Sequence, residues 1–154
     1  MSDAAVDALH RPLRPRAARL VCLPLAALSL AMMVGLAVGL PALTGVRLGA
    51  GDRVGFVALG VLMAWFLLLE AGVRAVPGSD GLVVRNLVRT RRLAWAEIVS
   101  VRFGPDRPWV LLDLADGDTL AVMAVQRADG DRARAEARRL ATLVALHSET
   151  ARDD

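Results

Sequence analysis

Apolar positions run almost without interruption through the first half of the chain and alternate with polar ones in the second. No charged residue occurs from Leu20 to Val46, and none from Val54 to Leu69. A bilayer core about 30 Å thick is crossed by a helix of roughly 20 apolar residues. The first run is long enough to cross with room to tilt. The second reaches crossing length if it continues through Glu70 to Val73. The pattern predicts two membrane helices, at about 20–43 and 54–73, joined by a short loop. The apolar stretch of a cleaved signal peptide spans only about 7–15 residues. A longer run followed at once by a second reads as a membrane hairpin.

From Gly72 onward the period shortens. Val73–Val76 is a candidate strand, and Pro77 to Gly81 is dense in turn residues. Leu82–Leu87 and Arg89–Leu93 form the next two strands around a turn near Asn86. Trp95 to Ile98 suits a single helical turn, and Val99–Phe103 a fourth strand. After a Gly/Pro loop, Trp109–Leu114 and Thr119–Val125 make a hairpin about Asp116-Gly117-Asp118. The last element is a helix, capped by Asp129 or Asp131 and running to about Ser148. Ala133, Ala137, Leu140, Ala141, Val144 and His147 fall at spacings of three and four and give it one apolar stripe. The chain thus divides into a basic N-terminal tail (1–19), a membrane hairpin (20–73), a small β-rich domain (74–148) and a disordered tail (149–154).

Charge sets the orientation. Arg11, Arg14, Arg16 and Arg19 precede the first run, and Arg74, Arg85, Arg89, Arg91 and Arg92 follow the second. The connecting loop has Arg47 and Arg53 only. Basic residues favour the cytoplasmic side, which places both termini there and the loop outside. From Ala71 to Asp154 there are 13 Arg and 12 acidic residues. This balance disfavours nucleic-acid binding, which needs clustered phosphate-neutralising charge.

Candidate chemistry is sparse. Cys22 is the single cysteine, sits inside the first apolar run and reads as a small buried side chain. His10 and His147 have no nucleophile beside them, and no Cys/His spacing suits zinc. Asp113, Asp116 and Asp118 straddle a turn, where aspartate is favoured for local hydrogen bonds, and offer too few ligands for a metal. Glu70 and Arg74 would form an i, i+4 pair if the helix continued. Trp95, Phe103 and Trp109 read as core residues. No catalytic, cofactor or metal site is expected. Gly35-x-x-x-Gly39 and Gly60-x-x-x-Ala64 allow close helix approach, either within the hairpin, the commoner use, or between two copies of the chain.

The wording of the second half carries a resemblance. Asp80-Gly-Leu-Val-Val-Arg-Asn86, Arg89-Thr-Arg-Arg-Leu-Ala-Trp95-Ala-Glu-Ile98 and Val101-Arg-Phe103 follow one another in order. Over about residues 72–127 this resembles the bacterial PH-domain family of small actinobacterial membrane proteins, nearest to its low-molecular-weight protein antigen 6-like group. The resemblance implies a curved antiparallel sheet or partial barrel plugged by a C-terminal helix, with two membrane helices ahead of it. A full barrel of this kind has seven strands, and six are visible here. It implies no reaction.

Two classes of function follow. The first is a membrane-anchored interaction module at the cytoplasmic face, binding a protein partner or anionic lipid head groups through Arg85, Arg89, Arg91 and Arg92. Because strand residues alternate faces, these four do not all converge, and neighbouring Asp and Glu compete for them. The second is a small oligomeric transport or channel subunit, although neither apolar run carries a charge away from its ends.

Overall fold

A computed structural model of the chain describes residues 8–150, the last two by backbone alone. The expectations for residues 1–7 and for the tail from 151 lie outside the described residues. The described residues divide into two compact units, residues 18–71 and a β-rich unit made of residues 8–17 together with 72–150.

The first unit is a helical hairpin. Helix α1 spans Arg16–Thr44 and α2 spans Ala50–Ala71. Both are long and apolar enough to cross a membrane. α1 contains Pro24 and Pro41, tolerated where neighbouring helices re-satisfy freed backbone groups. The two helices meet through small residues. Ala26, Ser29 and Ala37 of α1 and Gly60 and Ala64 of α2 are buried. A Cβ on Gly60 would stand 2.8 Å from Met33 Cβ and 3.4 Å from Leu30 Cδ1, so only glycine permits this approach. Leu20, Leu28, Val38, Leu62, Trp65 and Phe66 point outward and are more than half exposed. So much apolar surface suits lipid rather than water.

Gly35 and Gly39 do not take part in the hairpin contact. Nothing lies within 4 Å of a Cβ built on either. At about 100° per residue they fall opposite buried Ala37 on the helix. The expectation of local packing holds for Gly60 and Ala64 but not for this pair.

The second unit holds two three-stranded antiparallel sheets and a helix. Strands β1 (Arg74–Pro77), β2 (Gly81–Arg85) and β3 (Thr90–Ala94) form the first sheet in that order. Strands β4 (Ile98–Arg102), β5 (Trp109–Leu114) and β6 (Thr119–Gln126) form the second. Helix α3 spans Asp131–Thr150. No closed barrel forms among the described residues. The alternation is clean in β5, where Val110, Leu112 and Leu114 point inward. Gly81 is dictated by packing, since a Cβ there would lie 2.0 Å from the Leu93 carbonyl oxygen on β3. The two sheets are stitched by one side chain. Asn86, just past β2, donates from Nδ2 to the Ala121 carbonyl at 2.8 Å and accepts at Oδ1 from the Met123 N–H at 3.2 Å. Its amide takes the place of a peptide group beside β6.

α3 closes the core as expected, with one change in its stripe. Ala133, Ala137, Leu140 and Val144 are buried, but Leu143 replaces Ala141, which is exposed. Trp95 is 4% exposed and donates from Nε1 to the Gly78 carbonyl at 3.1 Å. Phe103 packs against the core only in part, and Trp109 is half-buried outside it. The histidines, distant in sequence, come together. His147 stacks on Trp95 with ring centroids 4.6 Å apart, and His10 meets His147 edge-on at 6.1 Å.

The N-terminal segment departs from its reading as a tail apart from the domain. Leu13 is fully buried and belongs to the core of the β-rich unit. Its N–H donates to the Ala75 carbonyl at 2.8 Å, and the Ala75 N–H donates to its carbonyl at 3.0 Å. One residue thus adds to the outer edge of β1. Arg139 of α3 donates to the Ala8 carbonyl at 2.9 Å. Asp129, a candidate cap for α3, instead accepts from the Arg16 and Ala17 N–H groups at 3.0 and 2.7 Å, the first two of α1. Those amides have no partner within their own helix, so the carboxylate is better used there.

A basic hairpin as candidate interaction site

The four arginines named from the sequence lie on one hairpin, and register assigns their faces. In the β2–β3 pairing Leu82 faces Leu93, Val83 faces Arg92, Val84 faces Arg91 and Arg85 faces Thr90. Leu82, Val84 and Leu93 are buried, so Arg91 shares the inward-facing row where the sheet runs out. Arg85 and Arg92 share the outward row, diagonal to one another. Arg89 closes the turn, accepting at its carbonyl from the Asn86 N–H at 2.9 Å. The structure thus joins Arg85 and Arg92 on one face and separates Arg91 from them.

A fifth arginine joins the outward row. α2 ends at Ala71, so the helical pairing of Glu70 with Arg74 is not made. Arg74 opens β1 and pairs directly with Arg85. Like charges directly opposite destabilise a sheet by up to about 1 kcal/mol. The sequence signal was present in the position of Arg74 one strand before Arg85, but the register that opposes them is set by the Pro77–Gly81 turn.

None of Arg74, Arg85, Arg89, Arg91 and Arg92 forms an ion pair among the described residues. The expected competition from neighbouring acids is therefore absent on this hairpin. All five are exposed. At the tip stands Val88, 87% exposed, the most exposed large apolar side chain in the molecule's described part. An apolar tip ringed by unpaired arginines is suited to an anionic interface.

The acidic residues behave differently. Asp113 accepts from Ser100 Oγ at 2.5 Å, from Arg102 and from Thr119 Oγ1 at 3.5 Å. The Ser100 hydroxyl and then the Arg102 guanidinium hold its carboxyl below the ordinary aspartate value. Asp116 Oδ1 accepts from the Asp118 N–H at 2.9 Å within the turn, where Gly117 has φ 87°. These carboxylates serve the hairpin. No group of three His, Cys, Asp or Glu is placed to hold a metal among the described residues.

Comparison with known proteins agrees with the architecture. A profile of the bacterial PH domain matches residues 72–142. Uncharacterised proteins of Mycobacterium tuberculosis and Mycobacterium bovis are 39% identical over 104 residues, covering 68% of this chain and 68% of theirs. No solved structure matches. Two open antiparallel sheets closed by a C-terminal helix, the matched profile and these relatives together assign the chain to the bacterial PH-domain family.

Proposed function

We propose that this protein is a non-enzymatic module, anchored by its helical hairpin with both termini in the cytoplasm, whose basic β2–β3 hairpin binds anionic lipid head groups. The observation that carries this reading is that Arg74, Arg85 and Arg92 on one face of the first sheet, with Arg89 and Arg91 beside its turn, are all exposed and form no ion pair among the described residues. A sheet that keeps Arg74 opposite Arg85 accepts a cost that an anionic ligand removes. Only Gly72 and Val73 separate α2 from β1, so a two-residue link joins the β-rich unit to the helical hairpin. Each arginine near an anionic leaflet contributes about 1 kcal/mol.

The test uses the full chain in phosphatidylcholine nanodiscs, floated with phosphatidylcholine vesicles or with vesicles containing phosphatidylglycerol. Binding is expected only to the anionic vesicles. Replacing Arg85, Arg89, Arg91 and Arg92 with glutamine should lower it roughly a thousandfold, the equivalent of about 4 kcal/mol. Equal flotation of both forms would leave a protein partner as the ligand of this surface. Reporter tags at either end should read cytoplasmic; an external C-terminal tag would remove the inner-leaflet role.

The open Gly35-x-x-x-Gly39 seam supports self-association of the hairpin as a second element of the proposal. Leucine at both positions should abolish a cross-linked dimer in detergent, and an unchanged dimer would place the contact elsewhere.

A further inference from the structure

We propose that the groove between β4 and α3 binds an extended acidic peptide segment, which adds to the free edge of β4. The proposal is independent of the basic hairpin, since β4 and α3 share no residue with it. β4 is the end strand of its sheet, paired with β5 on one side and with no strand on the other among the described residues. An end strand presents a row of backbone donors and acceptors that another extended chain satisfies.

The groove beside it is formed and mixed in character. Val101, Phe103, Ala137, Arg138 and Ala141 line a cavity of about 300 Å³ together with Arg134. A second cavity of about 320 Å³ continues it past Phe103 and Arg134 to Pro105 and Arg127. Val101 and Phe103 are packed against the core only in part, so an incoming apolar side chain would complete their burial. Further along β4, Val99 is 65% exposed.

Charge selects the occupant. The lining holds three arginines and no acidic residue. Arg138 forms no ion pair among the described residues, and Arg134 pairs with Asp131 at 2.9 Å where both side chains are largely exposed. Such an exposed pair contributes little and is readily exchanged for a better carboxylate. An extended segment with acidic residues alternating with an apolar one meets both the arginines of α3 and the apolar floor, because its side chains alternate at a period of two. A lipid head group would satisfy the arginines but not the strand edge.

The test is selection of a random peptide display library on the full chain in phosphatidylcholine nanodiscs. Enriched peptides should be acidic with an interspersed apolar residue. Their affinity should fall at least about tenfold on Arg134→Glu with Arg138→Glu, and on Ala141→Trp, which fills the groove from an exposed position. Melting of both variants should match the parent, separating lost binding from lost fold. Glutamine at Arg85 and Arg92 should leave peptide affinity unchanged. The proposal is overturned if no peptide is enriched, if the enriched peptides lack acidic residues, or if their affinity ignores the groove variants. It is overturned equally if affinity follows the Arg85 and Arg92 variants instead.

Discussion

Leu13→Asp should unfold much of the β-rich unit, although position 13 lies 61 residues ahead of the start of β1 at Arg74. Leu13 is fully buried, bridges to Ala75 of β1 and belongs to the core cluster. A carboxylate there would stand in an apolar core cluster, with the Leu13 backbone already engaged with Ala75. Burying an unpaired charge costs several kcal/mol, against a total stability of about 5–15 kcal/mol for a domain. For a unit of this size each kcal/mol lowers the melting temperature by roughly 4–8 °C. The full chain in detergent, followed by tryptophan fluorescence, should melt more than about 10 °C lower. Leu13→Ala should show a smaller drop of the same kind, from a loss of about 2–5 kcal/mol. Unchanged melting in both would mean that residues 8–17 are not part of the core.

Leu140→Asp should have an effect of the same order, this time from α3. Leu140 is fully exposed to none of the solvent, lying between Ala137 and Val144 on the buried stripe of α3. The arginines of α3 do not compensate. Arg132 and Arg139 are already engaged by Glu136 at 3.3 and 2.6 Å. Leu143→Asp should match it, whereas Ala141→Asp, at an exposed position, should change melting little. Hydrogen exchange of β5 and β6 amides in the full chain would report the loss directly. Retained protection with Leu140→Asp would show that α3 does not seal the sheets.

These two positions differ in how they appear in the sequence. Leu140 stands in a periodic apolar stripe, and period is the strongest signal a chain carries for a helix face. The same holds for β5, where the alternation of Val110, Leu112 and Leu114 marks the buried side. Leu13 is a single apolar residue between Pro12 and Pro15. One residue has no period, and prolines point to irregular backbone, so only the folded partner at Ala75 reveals its role. Asn86 and Asp129 are similar cases. Both residue types are favoured in turns and caps nearby in sequence. Their observed partners, Ala121 and Met123 for one and Arg16 and Ala17 for the other, are fixed by tertiary packing.

The candidate site was legible as residue types but not as a surface. Alternation separates Arg91 from Arg92, and the structure keeps that separation. What the sequence does not contain is the β1–β2 register that brings Arg74 opposite Arg85, nor the lack of an ion pair to these arginines among the described residues. The latter converts a charge run, ordinarily a solvated face, into an unneutralised one.

The lipid reading is tested most directly where the apolar tip meets its surroundings. A solvent-sensitive fluorophore on Val88→Cys, with Cys22→Ala to leave one thiol, would be followed in the full chain in nanodiscs. The account predicts a blue-shifted emission when the disc contains phosphatidylglycerol. Raising salt should reverse the shift, as the screening length falls from about 10 Å at 0.1 M to about 3 Å at 1 M. Emission unchanged between neutral and anionic discs at low salt would contradict it.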